Sequence, residues 1–182
     1  MLWRGQPVKV PALADLAQSH AYGRAWYVES GESIAEYASA RNLDARYVCD
    51  VVAILSPRVS VTQNVKLARR YLETGTALGA MRQRLHALAR YEASGIFTGP
   101  KVTAFAAALD GDPDAIVIDA WMYRLFNEPR RTAKAYRDVS ALVAGVASEL
   151  GWRAAETQAA LWCGARALCG YTDSYSPLTI GA

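Results

Sequence analysis

The sequence predicts an all-α fold, and three observations lead to this prediction. Apolar residues recur at helical spacing along most of the chain, whereas the alternation of apolar and polar residues that is typical of strands is nearly absent. Capping residues, prolines and glycines stand where the periodic segments would begin and end. Of the 182 residues, 52% are apolar, which is enough to build the core of one domain, or of two small lobes that share a cleft.

The periodicity predicts nine or ten helices along the chain. The first five cover Val10 to Ala21, Ser33 to Ala40, Leu43 to Leu55, Ser60 to Glu73 and Met81 to Tyr91. Four more cover Lys101 to Leu109, Asp119 to Phe126, Thr132 to Leu150 and Arg153 to Cys169. The short apolar run from Ile116 to Ile118 fits a buried extended connector. The tail from Gly170 to Ala182 is rich in turn residues, so we expect it to be partly disordered.

Several of these boundaries have a clear physical reason. The Ser33-Ile34-Ala35-Glu36 segment has the spacing of a capping box, which would start the second helix. Pro57 lacks a backbone N–H and therefore ends the helix before it. Ser60 or Thr62 is placed to cap the next helix, and Gly75 lies directly behind that helix, where a left-handed conformation would end it.

Charge and hydropathy limit the classes of partner. The formal net charge of +3 permits binding to nucleic acid without requiring it. The positive excess lies in the middle of the chain, because 13 Lys and Arg but only 7 Asp and Glu occur from Arg58 to Arg137. The first residues contain no apolar signal-peptide core, and no uncharged stretch is long enough to span a membrane. We therefore predict a cytoplasmic protein with no membrane partner.

The cysteines and histidines do not form a pattern that binds metal. Cys49, Cys163 and Cys169 fit a reducing compartment, where we expect each of them to be a small buried apolar residue. Three cysteines cannot supply the four thiolates of an iron–sulfur cluster. His20 and His86 are isolated in the sequence, so we do not expect them to form a zinc site. The prediction is therefore that the protein uses neither a metal nor an organic cofactor.

A candidate catalytic amine lies at the start of a predicted helix, in the segment Gly99-Pro100-Lys101. Pro100 suits the first helical turn, where its missing N–H is not needed, and Gly99 permits close backbone approach or a positive φ. The helix dipole is positive at this position. Together with desolvation, it favours the neutral, nucleophilic form of a lysine amine. The alternative is that Lys101 is a solvated surface residue.

A candidate carboxylate, Asp119, follows eighteen residues after Lys101, where it closes the apolar run and opens another helix. One interpretation is an ordinary N-cap, a role that aspartate often has. The other is a carboxylate that stabilises positive charge on a reacting sugar, as in glycoside hydrolysis. The two roles are compatible. An amine and a carboxylate at two adjacent helix starts could act together on a sugar C1′ carbon.

The Gly99–Lys101 turn, the spacing of eighteen and the apolar run before Asp119 together resemble the helix-hairpin-helix DNA glycosylase superfamily, of the endonuclease III type. The resemblance covers about residues 43–168, and this chain lacks the cysteines that bind an iron–sulfur cluster in many members of the family. It implies one helical domain over residues 1–182 with two sub-lobes, in which the N-terminal segment packs beside the C-terminal helices. It also implies a hairpin near residues 91–105, a Schiff-base role for Lys101 and a charge-stabilising role for Asp119.

The resemblance also implies a set of DNA contacts. The hairpin backbone around Thr98 and Gly99 would hold a DNA phosphate without reading sequence. The family's usual Gly-x-Gly pattern is altered here, because Phe97 stands where the first glycine is expected. Ser56 lies in a segment that lines the DNA cleft. Arg58 matches a glutamine that fills the space left by a flipped base, although it could instead bind a phosphate or be an ordinary surface arginine.

Further candidates lie on the flanking helices. Asn64 and Lys66 belong to a polar, basic helix face that would contact DNA or would simply be solvated. Trp121 could stack on a base, and Gln158 and Trp162 belong to a late helix that would pack under the site. Glu156 is an alternative to Gln158. The bland interpretation of the two tryptophans is that they are core residues.

Three functions follow from these predictions. The leading one is a monomeric DNA glycosylase, bifunctional through a lysine Schiff-base lyase activity, that flips a damaged or modified base out of double-stranded DNA. The second is a DNA hypermodification enzyme of the phage type, which would transfer an amino acid or polyamine to an activated thymine. The third is a non-enzymatic DNA-binding module, whose affinity would depend on salt and not on chemistry at Lys101.

Overall fold

The computed structural model describes residues 1–3, 6–171 and 175–181, and within them the chain is almost entirely helical. Over this part of the chain the helices are α1 (Leu13–Ser19), α2 (Trp26–Ser39), α3 (Ala45–Leu55), α4 (Val61–Thr74), α5 (Arg82–Ser94), α6 (Pro100–Leu109), α7 (Ala120–Leu125), α8 (Ala133–Leu150) and α9 (Ala154–Ala167). A short 3₁₀ helix (Ala21–Ala25) precedes α2, and β1 (Leu2–Trp3) pairs antiparallel with β2 (Gln6–Pro7). The prediction of an all-α fold is confirmed.

Most of the predicted helix starts are confirmed, and polar side chains cap several of them. The Ser60 hydroxyl accepts a hydrogen bond from the Gln63 backbone N–H at 3.1 Å and begins α4. Thr132 caps α8 in the same way, through the backbone N–H of Ala135. At the other end of α4, Gly75 has a φ of 70°, the left-handed conformation that ends the helix.

Two predictions near the ends of the chain are wrong. The second helix begins at Trp26, so Ser33 lies inside α2 and does not cap it. Its hydroxyl instead accepts a hydrogen bond from the backbone N–H of Ile180 at 3.1 Å. The predicted partial disorder of the tail does not apply to Leu178 and Ile180, whose side chains are buried, and residues 172–174 and 182 of the tail lie outside the described residues. The Leu178 backbone N–H donates to the hydroxyl of Ser30 at 2.9 Å, so serines of α2 hold this segment.

The chain divides into two compact units. The first unit comprises Met1–Tyr27 and Asp112–Ser176, and α9 is its central helix, packed against α1, the 3₁₀ helix, α7 and α8. Two glycines permit this close packing. A Cβ on Gly23 would lie 2.9 Å from the Cα of Ala160, and a Cβ on Gly164 would lie 2.8 Å from the Leu16 side chain.

The second unit comprises Val28–Gly111 and Pro177–Ala182, and α3 is its central helix, packed against α4, α5 and α6. Every residue of α3 from Val48 to Leu55 is buried, because the helix is surrounded on several sides. This burial holds the last turn of α3 in place, and Ser56 is the C-cap residue of the helix. The start of α6 therefore packs against a rigid element.

Candidate functional site

The amine of Lys101 is held at the start of α6 by contacts within the second unit. Lys101 is the second residue of the helix, directly after Pro100, and it is half-buried. Its Nζ donates a short hydrogen bond to the Ser56 hydroxyl and lies 4.4 Å from the centre of the Phe105 ring. The Ser56 hydroxyl in turn donates to the Ala53 carbonyl at 2.8 Å, so its lone pair is directed to the amine. Lys101 is therefore not a fully solvated surface lysine.

The loop before Lys101 joins α5 to α6. It begins at Gly95, whose φ of 68° ends α5, and it finishes at Gly99, the N-cap residue of α6. Gly99 has a φ of 111° and a ψ of 122°, a region that is open to glycine and strained for other residues. The Phe97 ring packs edge-on against Tyr91, with 5.5 Å between ring centres, whereas Thr98 is exposed. Phe97, which stands where the resemblance expects a glycine, thus anchors the loop on α5.

The other predicted DNA contacts of this unit lie in different environments. Arg58 is exposed and has a φ of 61°, so a bulky residue is kept in the left-handed region directly after Pro57. Lys66 is exposed on α4. Asn64 is only 3% exposed, and in the described part of the chain its Oδ1 atom has no hydrogen-bond partner. Its side chain is therefore not displayed on the surface of the unit.

The segment from Ser56 to Lys101 concentrates positive charge, and we call residues 56–101 the basic segment. It contains eight Lys and Arg residues but only two acidic residues, Glu73 and Glu92. The remainder of the second unit has the opposite balance, with two basic and six acidic residues. The sequence excess of positive charge therefore belongs to α4, α5, the loops beside them and the start of α6, where Lys101 lies.

One residue that sequence reasoning missed is Arg84, in the first turn of α5. Although it is an arginine, it is only 5% exposed. It lines a cavity together with Arg58, Thr98 and residues from the end of α3. The signal was present in the sequence, because Ala87, Leu88 and Tyr91 follow Arg84 at helical spacing and mark the inward face of α5.

The opposite end of α5 is fixed by carboxylates. Tyr91 donates its hydroxyl proton to Oδ2 of the buried Asp50 at 2.7 Å, and Arg46 donates to Oδ1 of the same residue at 3.1 Å. Glu92 accepts hydrogen bonds from the hydroxyls of Tyr47 and Tyr71, both at 2.9 Å. These bonds tie α5 to α3 and α4, and they hold the helix that leads into the loop before Lys101.

Asp119 lies in the first unit and caps α7. Its Oδ1 accepts hydrogen bonds from the backbone N–H groups of Trp121 and Met122, at 2.8 and 3.1 Å. Its Oδ2 accepts a hydrogen bond from the indole N–H of Trp162 at 3.0 Å. The interpretation of Asp119 as an N-cap is confirmed, and its role toward a sugar stays a prediction.

The remaining candidates of the first unit make internal contacts. The Trp162 ring lies against Trp26, with 5.8 Å between ring centres, and the Trp121 ring lies edge-on to Tyr171 at 5.3 Å. Gln158 is buried, and its Oε1 accepts a hydrogen bond from the Tyr27 hydroxyl at 2.6 Å. Burial is the main cause that raises the pKa of Tyr27, with the charge of Asp119 adding to it. Glu156, the alternative to Gln158, pairs with Arg24 at 2.9 Å.

The described residues also bear on metal binding, thiol reactivity and membrane spanning. Over residues 1–3, 6–171 and 175–181, no group of three or more His, Cys, Asp or Glu side chains is placed to hold a metal ion. Burial raises the pKa of both the Cys49 and the Cys163 thiols to about 12. Both thiols are therefore protonated and unreactive at neutral pH. None of the helices in the described part of the chain combines the length and apolar character that crossing a membrane requires.

The fold and the site define an all-helical protein whose second unit carries a half-buried lysine amine at the end of a basic segment. Residues 10–168 match the model of a family described as a family of unknown function, DUF7178, and the chain belongs to this family. No curated protein and no solved structure matches the chain.

Proposed function

We propose that this protein acts on double-stranded DNA as a glycosylase with Schiff-base lyase activity, and that Lys101 is its nucleophile. The observation that carries the proposal is the position of the Lys101 amine. The amine lies in the first turn of a helix, against an aromatic ring and a hydroxyl group, directly after a loop that ends in a glycine with a positive φ. In such an environment an amine can be positioned and partly desolvated.

The charge of the basic segment supports a DNA partner. Binding to duplex DNA depends mainly on cations that replace the counterions of the phosphate backbone. Residues 56–101 contain eight Lys and Arg residues, including Lys101 and the buried Arg84, against two carboxylates, so positive charge is concentrated in the segment that carries Lys101. Arg58, which the resemblance assigns to the DNA cleft, and Lys66, a candidate from the basic face of α4, are both exposed.

The composition of the first unit gives further support. The resemblance implies an N-terminal segment that packs beside the C-terminal helices, and Met1–Tyr27 forms one compact unit with Asp112–Ser176. Within this unit α1 and the 3₁₀ helix both pack on α9. Asp119 belongs to the same unit, at the start of α7, which is where the resemblance expects a carboxylate at a helix start.

The proposed reaction uses this chain's own groups. The neutral Nζ of Lys101 attacks C1′ of the flipped nucleotide, forming a C–N bond as the bond to the base breaks, and the base leaves with a proton from solvent. The resemblance gives Asp119 the role of stabilising the positive charge that develops on the sugar. The C1′–O4′ bond then breaks, O4′ gains a proton as Nζ loses one, and an imine forms between Nζ and C1′. Loss of a C2′ proton to solvent breaks the C3′–O bond, and the 3′ phosphate leaves.

Borohydride trapping on duplex DNA with an abasic site tests the proposal. Condensation of the Lys101 amine with the C1′ aldehyde releases water and forms an imine, which hydride reduces to a stable secondary amine. We expect a covalent protein–DNA adduct from the wild type and from Lys134→Ala, which removes an exposed lysine of the first unit. Lys101→Arg keeps the positive charge and removes the primary amine, so it should bind the DNA and give no adduct.

The same experiment can overturn the proposal. An adduct that persists in Lys101→Arg would assign the chemistry to another amine. Binding of the abasic duplex by the wild type without any adduct would exclude the Schiff-base mechanism, and it would leave a DNA-binding or base-transfer role for the chain.

A further inference from the structure

A cavity of about 200 Å³ lies inside the second unit, next to the loop that precedes α6. Its walls come from the end of α3, the first turns of α5 and the start of α6. The apolar side is formed by residues that include Ile54 and Val102, and the polar side includes Arg58, Arg84 and Thr98. The volume is below the roughly 300 Å³ at which pockets for drug-sized ligands begin, so it fits one charged group with a small organic part attached.

Arg84 is a buried cation whose charge is not compensated. Its Nη2 donates to the thioether sulfur of Met81 at 3.3 Å, which is a weak acceptor. Its Nε is buried and makes no hydrogen bond to any group in the described part of the chain. None of the ion pairs among the described residues includes Arg84. Burial of an unpaired cation is costly, and native proteins normally compensate it with an anion.

Arg58 brings a second positive charge to the same cavity. Burial, and secondarily the charge of Arg58, lower the pKa of Arg84. Because the ordinary pKa of arginine is above about 12, Arg84 still carries its charge at neutral pH. Among the described residues that line the cavity there is no aspartate or glutamate, whereas the Thr98 hydroxyl adds a neutral donor. Two guanidinium groups and a hydroxyl are the donor set that proteins use for phosphate.

We infer that this cavity binds a phosphate group, with Arg84 as the buried cation and with Arg58 and Thr98 as the exposed ligands. The apolar wall at Ile54 and Val102 would contact the sugar that carries the phosphate. The phosphate is either a diester of a DNA strand or the monoester of a free nucleotide. This inference goes beyond the proposed function and does not rest on it, because nothing in it requires Lys101 to react.

Thermal unfolding with added anions tests the inference. We expect inorganic phosphate and deoxythymidine monophosphate to raise the melting temperature of the wild type, whereas chloride at matched ionic strength should not. The expected shift is about 3–6 °C at ten times the dissociation constant. Arg84→Met removes the cation and keeps an unbranched apolar side chain in its place. This variant should melt higher than the wild type without phosphate and should lose the response to phosphate.

Further variants keep the test decisive. Arg84→Lys retains a cation and should keep part of the phosphate response. It provides the test if Arg84→Met does not fold. Arg90→Met removes an exposed arginine of the same helix and should respond like the wild type. Stabilisation by the mononucleotide well beyond that by a short duplex would identify a free nucleotide as the source, and the reverse order would identify a DNA strand. An unchanged phosphate response in Arg84→Met, or no response in the wild type, would overturn the inference.

Discussion

Asp50, which bonds to α5, and Arg84, which belongs to α5, are both buried charged side chains. Within the described part of the second unit, only Asp50 has its hydrogen-bonding groups satisfied. Both carboxylate oxygens of Asp50 accept hydrogen bonds, from Arg46 and from Tyr91. Arg84, at the other end of the helix, has only a thioether as a hydrogen-bond acceptor among the described residues. One end of α5 therefore carries a polar network that stabilises the fold, and the other end keeps a cation that needs an external anion. The difference indicates which end is available for binding.

The largest expected effect is at the satisfied end. Asp50→Ala should lower the free energy of unfolding by about 2–3 kcal/mol, because it leaves the Tyr91 hydroxyl without an acceptor and Arg46 without a buried partner. Asp110→Ala is the matched control, since Arg46 also pairs with Asp110 in a half-exposed bridge of 2.9 Å. It should cost less than about 1 kcal/mol. Urea unfolding measures both, and equal costs would mean that Asp50 does not anchor α5.

The unsatisfied end should give an effect of the opposite sign. In buffer without phosphate, Arg84→Met should raise the free energy of unfolding by about 1–2 kcal/mol, because an uncompensated buried charge is replaced by an apolar side chain. Arg90→Met is exposed and should stay within about 0.5 kcal/mol of the wild type. Clear destabilisation by Arg84→Met in urea unfolding would show that Arg84 supports the fold and is not reserved for a ligand.

Variants of Arg58 separate the effect of backbone strain from the effect of charge at the Arg84 end of α5. Its φ of 61° is strained for arginine, so Arg58→Gly should raise the free energy of unfolding by up to about 1 kcal/mol. Arg58→Ala removes the same charge and keeps the strain, so it should leave stability nearly unchanged. Both variants should bind duplex DNA more weakly than the wild type. If the glycine variant were less stable than the alanine variant, the strain at this position would not be real.

The smallest expected effect appears at alkaline pH. Burial and the bond to Glu92 raise the pKa of Tyr71 to about 12, and burial with hydrogen bonds to carboxylates also raises the pKa of Tyr47 and of Tyr91. A tyrosine in the unfolded chain loses its proton near pH 10, so above that pH the folded state binds more protons than the unfolded state. Stability should therefore fall as the pH rises from about 10 toward about 12.

Glu92→Gln provides the control for this pH dependence. Removing the carboxylate charge lowers the pKa of Tyr47 and Tyr71 in the folded state, so the alkaline loss of stability should become shallower. Urea unfolding at several alkaline pH values, together with the absorbance of tyrosinate, measures both changes. A slope that is identical in the wild type and in Glu92→Gln would contradict a role for this cluster.

Sequence reasoning succeeded where local chemistry decides the structure. The cap at Ser60, the N-cap role of Asp119, the helix start at Thr132 and the Pro100 start of α6 need only neighbouring residues, and all four were predicted correctly. It failed at the start of α2, where Trp26, Tyr27 and Val28 have low helix propensity. There, packing overrides propensity, because Trp26 contacts Trp162 and Tyr27 bonds Gln158, partners that lie more than 130 residues away.

The candidate site was predictable in part for the same reason. The position of Lys101 at a helix start follows from three adjacent residues, whereas its contact with Ser56 depends on how α3 packs against α6. Arg84 was missed because an arginine on a basic helix is normally solvated. Only the packing of α5 against α3 reveals that this one is buried. The order of the tail at Leu178 and Ile180 likewise depends on Ser30 and Ser33, far away in the sequence.

The salt dependence of duplex DNA binding tests the central claim most directly, namely that the basic segment is a DNA-binding surface. For the wild type, the logarithm of the affinity should fall linearly with the logarithm of the salt concentration, with a slope of about −0.9 for each phosphate that is neutralised. Lys66→Met, at an exposed lysine of the basic segment, should reduce the slope by about one contact, and Arg137→Met, at an exposed arginine of α8 in the first unit, should leave it unchanged. Absence of salt-dependent binding in the wild type, or equal slopes for all three proteins, would contradict the account.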